Sequence, residues 1–201
     1  MAPATGAAHD PRTTPGSRKR SQLESAVYAA DRLSRTGQAT PQEPAGIPEP
    51  AGWEDAVTGL EGPDFWRRTL VSEVARAARY HRPLTVVLLD VDGVEPLLQA
   101  WGPDVVRQTL REVGQCLRRM SRTSDQCTRI GPTRFGIVLT ETDEIAAINF
   151  VERVREAGPR SLPRVADRVS FAFGWASPKG SEAADAVVRR AERLVEADRA
   201  G

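Results

Sequence analysis

Hydrophobic positions are sparse over residues 1–52 and become dense and periodic from Trp53 onward. The first stretch is rich in Pro, Gly, Ala, Thr and Ser. Such a composition does not offset an ordering entropy of roughly 1–2 kcal/mol per residue, so 1–52 reads as a disordered arm. One island interrupts it. Ser21-Gln22-Leu23-Glu24 has the form of a capping box, and Leu23, Val27, Ala30 and Leu33 follow at helical spacing. This predicts a short helix over 21–35, either docking a partner or the domain's own surface or forming only fleetingly.

Residues 63–80 place Phe65, Leu70, Val71, Val74 and Ala78 on one side and charges on the other, the pattern of a helix lying on a sheet. His81-Arg82-Pro83 ends it. Residues 84–89 are an unbroken apolar run with β-branched members, as expected of a strand buried on both faces, and Asp90-Val91-Asp92-Gly93 closes it. A helix over 103–121 follows, with Val105, Val106, Leu110, Val113 and Leu117 inward. Next come a hairpin of 126–130 with 134–139 turning at Gly131-Pro132-Thr133, a helix near 143–157, a strand at 168–176 and a final helix at 181–199. The order predicts an α/β (α+β) domain over 53–201, a mixed central sheet covered by helices.

Charge and composition narrow the function. With 28 basic and 27 acidic side chains, a net charge of +1 gives no long-range field to collect nucleic acid, which is not expected as a partner. No window approaches the ~18 apolar residues of a membrane span and the N-terminus lacks a signal-peptide core, so no membrane insertion and a cytoplasmic location are expected. Cys116 and Cys127 fit no zinc or CxxC spacing and read as reduced, buried thiols. His9 and His81 leave little for triads or zinc sites, and His81 reads as a surface side chain. Trp101 and Trp175 read as packing residues, and Trp53 and Trp66 as pins of the domain's N-terminal edge.

The candidate chemistry begins at Asp90 and Asp92, at the end of the buried strand, where phosphates and their magnesium are commonly held in α/β proteins. The two are expected on opposite faces, one of them entering any given pocket. Other segments add context. Asp55-Ala56-Val57-Thr58-Gly59-Leu60 looks like DxLTGL, Leu88-Leu89-Asp90-Val91-Asp92 like a metal strand, Arg129-Ile130-Gly131-Pro132-Thr133-Arg134-Phe135 stands in place of RxGGDEF, and Phe171-Ala172-Phe173-Gly174-Trp175-Ala176 in place of the strand that reads SxGxA. In these motifs, from about Trp53 to Asp198, the chain resembles the GGDEF domain, the fold of the diguanylate cyclases.

Active members of that family condense two GTP molecules into cyclic di-GMP with magnesium, and the resemblance implies where this would happen and why it fails here. Of the signature's two glycines and two acids only Gly131 matches: Pro132 has no N–H for a phosphate, and Thr133 and Arg134 replace both acids. Glu95 and Glu192 stand in place of lysines, and Leu98 and Arg107 in place of the Asn and Asp that recognise guanine. No catalytic residue is assigned and no cofactor is expected, with Asp90 and Asp92 as weak candidates for a cation. Arg122-Thr123-Ser124-Asp125 matches the family's RxxD inhibitory site, seven residues from Arg122 to Arg129 as its pattern requires, and Arg153 takes the place of a further arginine of that site. The resemblance therefore implies a pseudoenzyme that receives cyclic di-GMP at Arg122, Asp125 and Arg153 and signals to an unidentified protein partner, with a homodimer possible. Two alternatives stay open: an interaction or dimerisation module that binds no nucleotide, and residual diguanylate cyclase activity.

Overall fold

The apolar run predicted as a doubly buried strand is β1 (Leu84–Asp92), and every residue from 84 to 91 is buried. The structure is a computed structural model and describes residues 46–200. The 21–35 helix and most of the predicted disordered arm lie outside the described residues.

Around β1 the chain builds α1 (Pro63–Tyr80), α2 (Val94–Trp101), α3 (Pro103–Met120), β2 (Gln126–Arg129), β3 (Arg134–Thr140), α4 (Glu144–Ser161), a 3-10 turn (Arg164–Ala166), β4 (Ser170–Ala176) and α5 (Ala184–Ala200). The sheet order is β2-β3-β1-β4, and all three pairings are antiparallel. Among the described residues the one parallel link is an isolated bridge from Glu61 to Thr128 on β2. Because strand side chains alternate, β1 divides its residues between two cores. Val87, Leu89 and Val91 pack with α2, α3 and α4, while Leu84, Val86 and Leu88 pack with α1 and α5. The fold is thus α+β, a four-stranded sheet between two helical layers.

Several local expectations shift. The buried face of α1 carries Trp66, Leu70, Glu73, Val74 and Ala77, and Val71 is 59% exposed. Trp66 sets that rotation: its ring lies over Gly136, where an added Cβ would come within 2.7 Å of it. Phe65 instead meets Trp53 edge-on, ring centroids 6.2 Å apart, so Trp53 and Trp66 do hold the N-terminal edge. Helix α2 has no counterpart in the predicted elements, since Val94 and Leu97 are its only buried positions and too few to declare a period. Trp101, expected to pack, ends that helix 56% exposed, whereas Trp175 is partly buried against the core. Residues 46–52, assigned by composition to the arm, touch the domain: Ile47 packs against the core and the Pro48 carbonyl accepts from Arg129.

Both cysteines are buried and unbridged, and burial pushes the Cys127 thiol up to about 11. None of the described helices is long and apolar enough to cross a membrane.

Candidate functional site

Asp90 lies at the C-terminal end of β1, 6% exposed, directly across the β1–β3 pairing from Arg134. The Arg134 guanidinium grips both carboxylate oxygens, Nε to Oδ1 at 2.6 Å and Nη2 to Oδ2 at 2.8 Å. Arg199, from the last turn of α5, adds a second clamp: Nη2 donates to Asp90 Oδ2 at 2.8 Å and Nε to Asp92 Oδ2 at 2.9 Å. Asp90 and Asp92 therefore share one face, against the expectation of opposite faces. Positions two apart on a pleated strand point the same way, and this face looks at α5. Glu192 and Glu196, one turn apart on α5, complete the cluster. Glu192 Oε1 stands 3.4 Å from Arg134 Nη1, and both Glu196 oxygens take Arg199 Nη1 at 2.9 and 3.0 Å.

Burial pushes Asp90 up, but hydrogen bonds and charge from Arg134 and Arg199 outweigh it and hold the carboxyl below its usual range. The same contacts raise both arginines, the bond to Asp90 first for Arg134 and the bond to Asp92 first for Arg199. A carboxyl with a lowered folded value stabilises the fold above its unfolded value, about pH 3.9, and that stability is lost as pH falls through the folded value. Melting wild type and Asp90→Asn at pH 6 and pH 3 should show a wide gap in Tm at pH 6 that narrows at pH 3. An unchanged gap would deny the linkage.

The loop between β2 and β3 is fastened from beneath. Arg129 is fully buried. Its Nη1 pairs with Asp55 Oδ1 at 3.1 Å, and its Nη2 donates to the carbonyls of Pro132, at 2.7 Å, and Pro48. Asp55 is itself preorganised, because its Oδ2 accepts from the Thr58 amide at 2.9 Å and the Thr58 hydroxyl at 2.7 Å. The Thr133 carbonyl accepts from the Val91 amide at 2.9 Å, which ties the loop to β1 beside Asp90. Gly131 needs no special conformation, since an added Cβ would meet nothing nearer than the Arg134 Cβ at 3.4 Å and its φ is not positive.

The predicted RxxD residues sit elsewhere, on the turn from α3 into β2. Asp125 Oδ2 accepts from the Arg122 backbone amide at 2.8 Å, and the Asp125 amide donates back to the Arg122 carbonyl at 3.0 Å. Asp125 Oδ1 is buried without a hydrogen-bond partner among the described residues. The Arg122 side chain is exposed and has no ion pair or hydrogen bond to the described residues. Arg153, exposed on α4, reaches the same corner, with Nη2 donating to the Met120 carbonyl at 3.3 Å and the guanidinium 5.9 Å from the centre of the Phe150 ring. The remaining predicted positions lie apart from this corner. Glu95 is exposed on α2 and accepts from Gln99, Leu98 packs against the core, and Arg107 on α3 pairs with Asp104.

Residues 53–201 match the family described as Diguanylate cyclase, GGDEF domain. The chain belongs to the GGDEF domain family. It is 31% identical over 119 residues to the diguanylate cyclase DosC of Escherichia coli K12, covering 59% of this chain and 26% of DosC. To the diguanylate cyclase DgcS of Shewanella oneidensis it is 28% identical over 141 residues, covering 70% of this chain and 47% of DgcS. The chain thus spans about a quarter to a half of the length of these relatives. In three dimensions it resembles the GGDEF domain of DgcB from Caulobacter crescentus in complex with c-di-GMP, with TM-score 0.70, 19% identity and coverage of 75% and 92%. It also resembles the diguanylate cyclase SiaD in complex with its activator SiaC from Pseudomonas aeruginosa, with TM-score 0.67, 24% identity and coverage of 91% and 70%. These structural likenesses establish the fold.

In this GGDEF domain the sequence reading overlooked Arg199, which lies one residue past the end of the stretch that carried the resemblance. A signal was present: Glu192, Glu196 and Arg199 recur at helical spacing and so share a face of α5.

Proposed function

We propose that this domain makes no cyclic di-GMP and instead receives it, at Arg122 and Arg153 with Asp125, passing the signal to a protein partner. One contrast carries the reading: Arg134 and Arg199 are spent on the domain's own carboxylates, while the Arg122 guanidinium has no hydrogen-bond or ion-pair partner among the described residues. A divalent cation at Asp90 would have to compete with two guanidiniums already seated on that carboxylate, one bond on Oδ1 and two on Oδ2, and their positive charge opposes a further cation beside them. Among the described residues no group of three or more His, Cys, Asp or Glu side chains is arranged to hold a metal ion. With two arginines on one aspartate, the donor set suits a guanidinium better than magnesium. Arg134 cannot act as a base because it stays protonated. Glu192 and Glu196 add negative charge where a triphosphate would have to lie.

Arg122 and Arg153 supply what a cyclic dinucleotide asks for, planar donor forks for a guanine O6/N7 edge or a phosphate. Asp125 first fixes the Arg122 turn, and rotation of its unpaired Oδ1 outward would offer an acceptor to the guanine N–H edge. A second reading, a protein-binding module without nucleotide, draws on that same inward carboxylate.

Two measurements test the proposal. Incubation with GTP and magnesium or manganese, read by chromatography, should give no cyclic di-GMP; product formation would return the domain to the enzymes. Titration calorimetry with cyclic di-GMP should show binding that weakens about tenfold or more in Arg122→Ala, the scale of one charge-assisted hydrogen bond. Equal binding by the two proteins would refute the receptor site, and no binding by wild type would favour the module.

A further inference from the structure

The sheet has two edges, and the chain closes them by different means. On β2 the closure is main chain: the Arg129 amide donates to the Glu61 carbonyl at 2.9 Å, within the Glu61–Thr128 bridge. On β4 no backbone segment pairs beyond β1 among the described residues, yet outward-facing groups of the edge meet side chains. The Phe173 amide donates to Asp198 Oδ2 at 2.8 Å, and the Phe171 carbonyl accepts from Arg155 Nη1 at a longer 3.5 Å. Arg155 and Asp198 are joined by a two-pronged contact, Nη2 to both carboxylate oxygens at 3.0 Å, and the guanidinium stacks 4.9 Å over the Phe173 ring. Just past the strand, the Ser177 amide donates to Glu144 Oε1 at 2.9 Å and its carbonyl accepts from Arg190.

A carbonyl and an amide two residues apart on one strand edge are the groups that a single residue of a parallel neighbour would satisfy. Arg155 and Asp198 supply the same donor and acceptor from α4 and α5. Three further features mark the surface as one that needs guarding. Apolar side chains flank the edge, with Leu194 45% exposed on α5 and Trp175 half-buried on the strand. A groove of about 470 Å³ runs between Phe173, Trp175, Leu194 and Ala197. By strand alternation, the Trp175 amide and carbonyl face outward like those of Phe173, between the two capped positions. Open edges with apolar flanks pair with other strands, and the nearest at hand is the same edge of a second copy.

We propose that Arg155 and Asp198, helped by Glu144, form a side-chain substitute for a neighbouring strand and keep β4 from pairing with β4 of a second chain. The test is light scattering across a concentration series. Arg155→Ala/Asp198→Ala should raise the weight-average mass over wild type, approaching about a doubling as two edges join. Asp198→Asn, which keeps an acceptor for the Phe173 amide, should stay with wild type, and Trp175→Lys on the double variant should bring the mass back down, since an edge lysine blocks pairing. A double variant with native circular dichroism, a cooperative melt and the wild-type mass would overturn the proposal. So would an Asp198→Asn that associates as strongly as the double variant, or a Trp175→Lys that reverses nothing. Should the double variant fail to fold, Glu144→Ala opens the edge from its other end. A rise in mass there supports the guard, and none refutes it.

Discussion

Asp55→Ala should cost the domain about 3–5 kcal/mol in denaturant unfolding, because it strands a buried charge. Arg129 is fully buried, and among the described residues Asp55 is its one anionic partner within hydrogen-bonding distance, with the Glu49 charge acting from further off. Burial already pulls Arg129 below the usual arginine value, with the Asp55 charge opposing that pull. The substitution removes the larger opposing charge and leaves only the weaker one of Glu49, and the Thr58 amide and hydroxyl lose their acceptor with it. Replacing both partners by apolar residues, Asp55→Leu with Arg129→Met, should cost less than Asp55→Ala alone, since no charge is then left unpaired. A loss below about 1 kcal/mol for Asp55→Ala would mean that Arg129 reaches water or another anion on its own.

Gly174→Ala should be the most damaging of the small glycine changes, at or above the top of the roughly 1–3 kcal/mol range for overpacking. An added Cβ would stand 2.0 Å from the Ala191 carbonyl oxygen and 2.5 Å from the Val195 amide nitrogen, so α5 would have to lift off the sheet. These are backbone atoms and cannot rotate away. The displacement would be felt at Arg199, further along the same helix, and so at its hold on Asp90. Gly131→Ala offers the contrast, with an expected change within about 0.5 kcal/mol. Chemical denaturation of the two variants beside wild type measures both, and a Gly174→Ala melt like that of wild type would show that α5 shifts freely.

The elements were legible wherever apolar periodicity ran long enough to declare itself. β1 read correctly from its unbroken run, and α3 from five inward positions, because burial on both faces or along one stripe writes itself into residue type. α2 did not, having only two buried positions, and the register of α1 slipped because Trp66 answers to an empty place on the sheet at Gly136, which no local pattern records. At the site, sequence comparison within the resemblance picked out Asp90, Arg134 and Glu192 by position. It was silent on their being bonded to one another, and on Arg199 altogether.

The sequence motifs pointed to the family, apolar periodicity to the order of helices and strands apart from α2, and the sequence alone shows the identities at the signature: a proline, a threonine and an arginine at Pro132, Thr133 and Arg134. What those side chains do was decided only when β1, β3 and α5 came together. Asp90 and Arg134 are 44 residues apart and Asp90 and Arg199 are 109 apart, and ion pairs across such separations form through the sheet register and helix docking. The closing of the β4 edge by Arg155 and Asp198 has the same origin, since hydrogen-bond partners from two helices and a strand meet in space and leave no periodic trace along the chain.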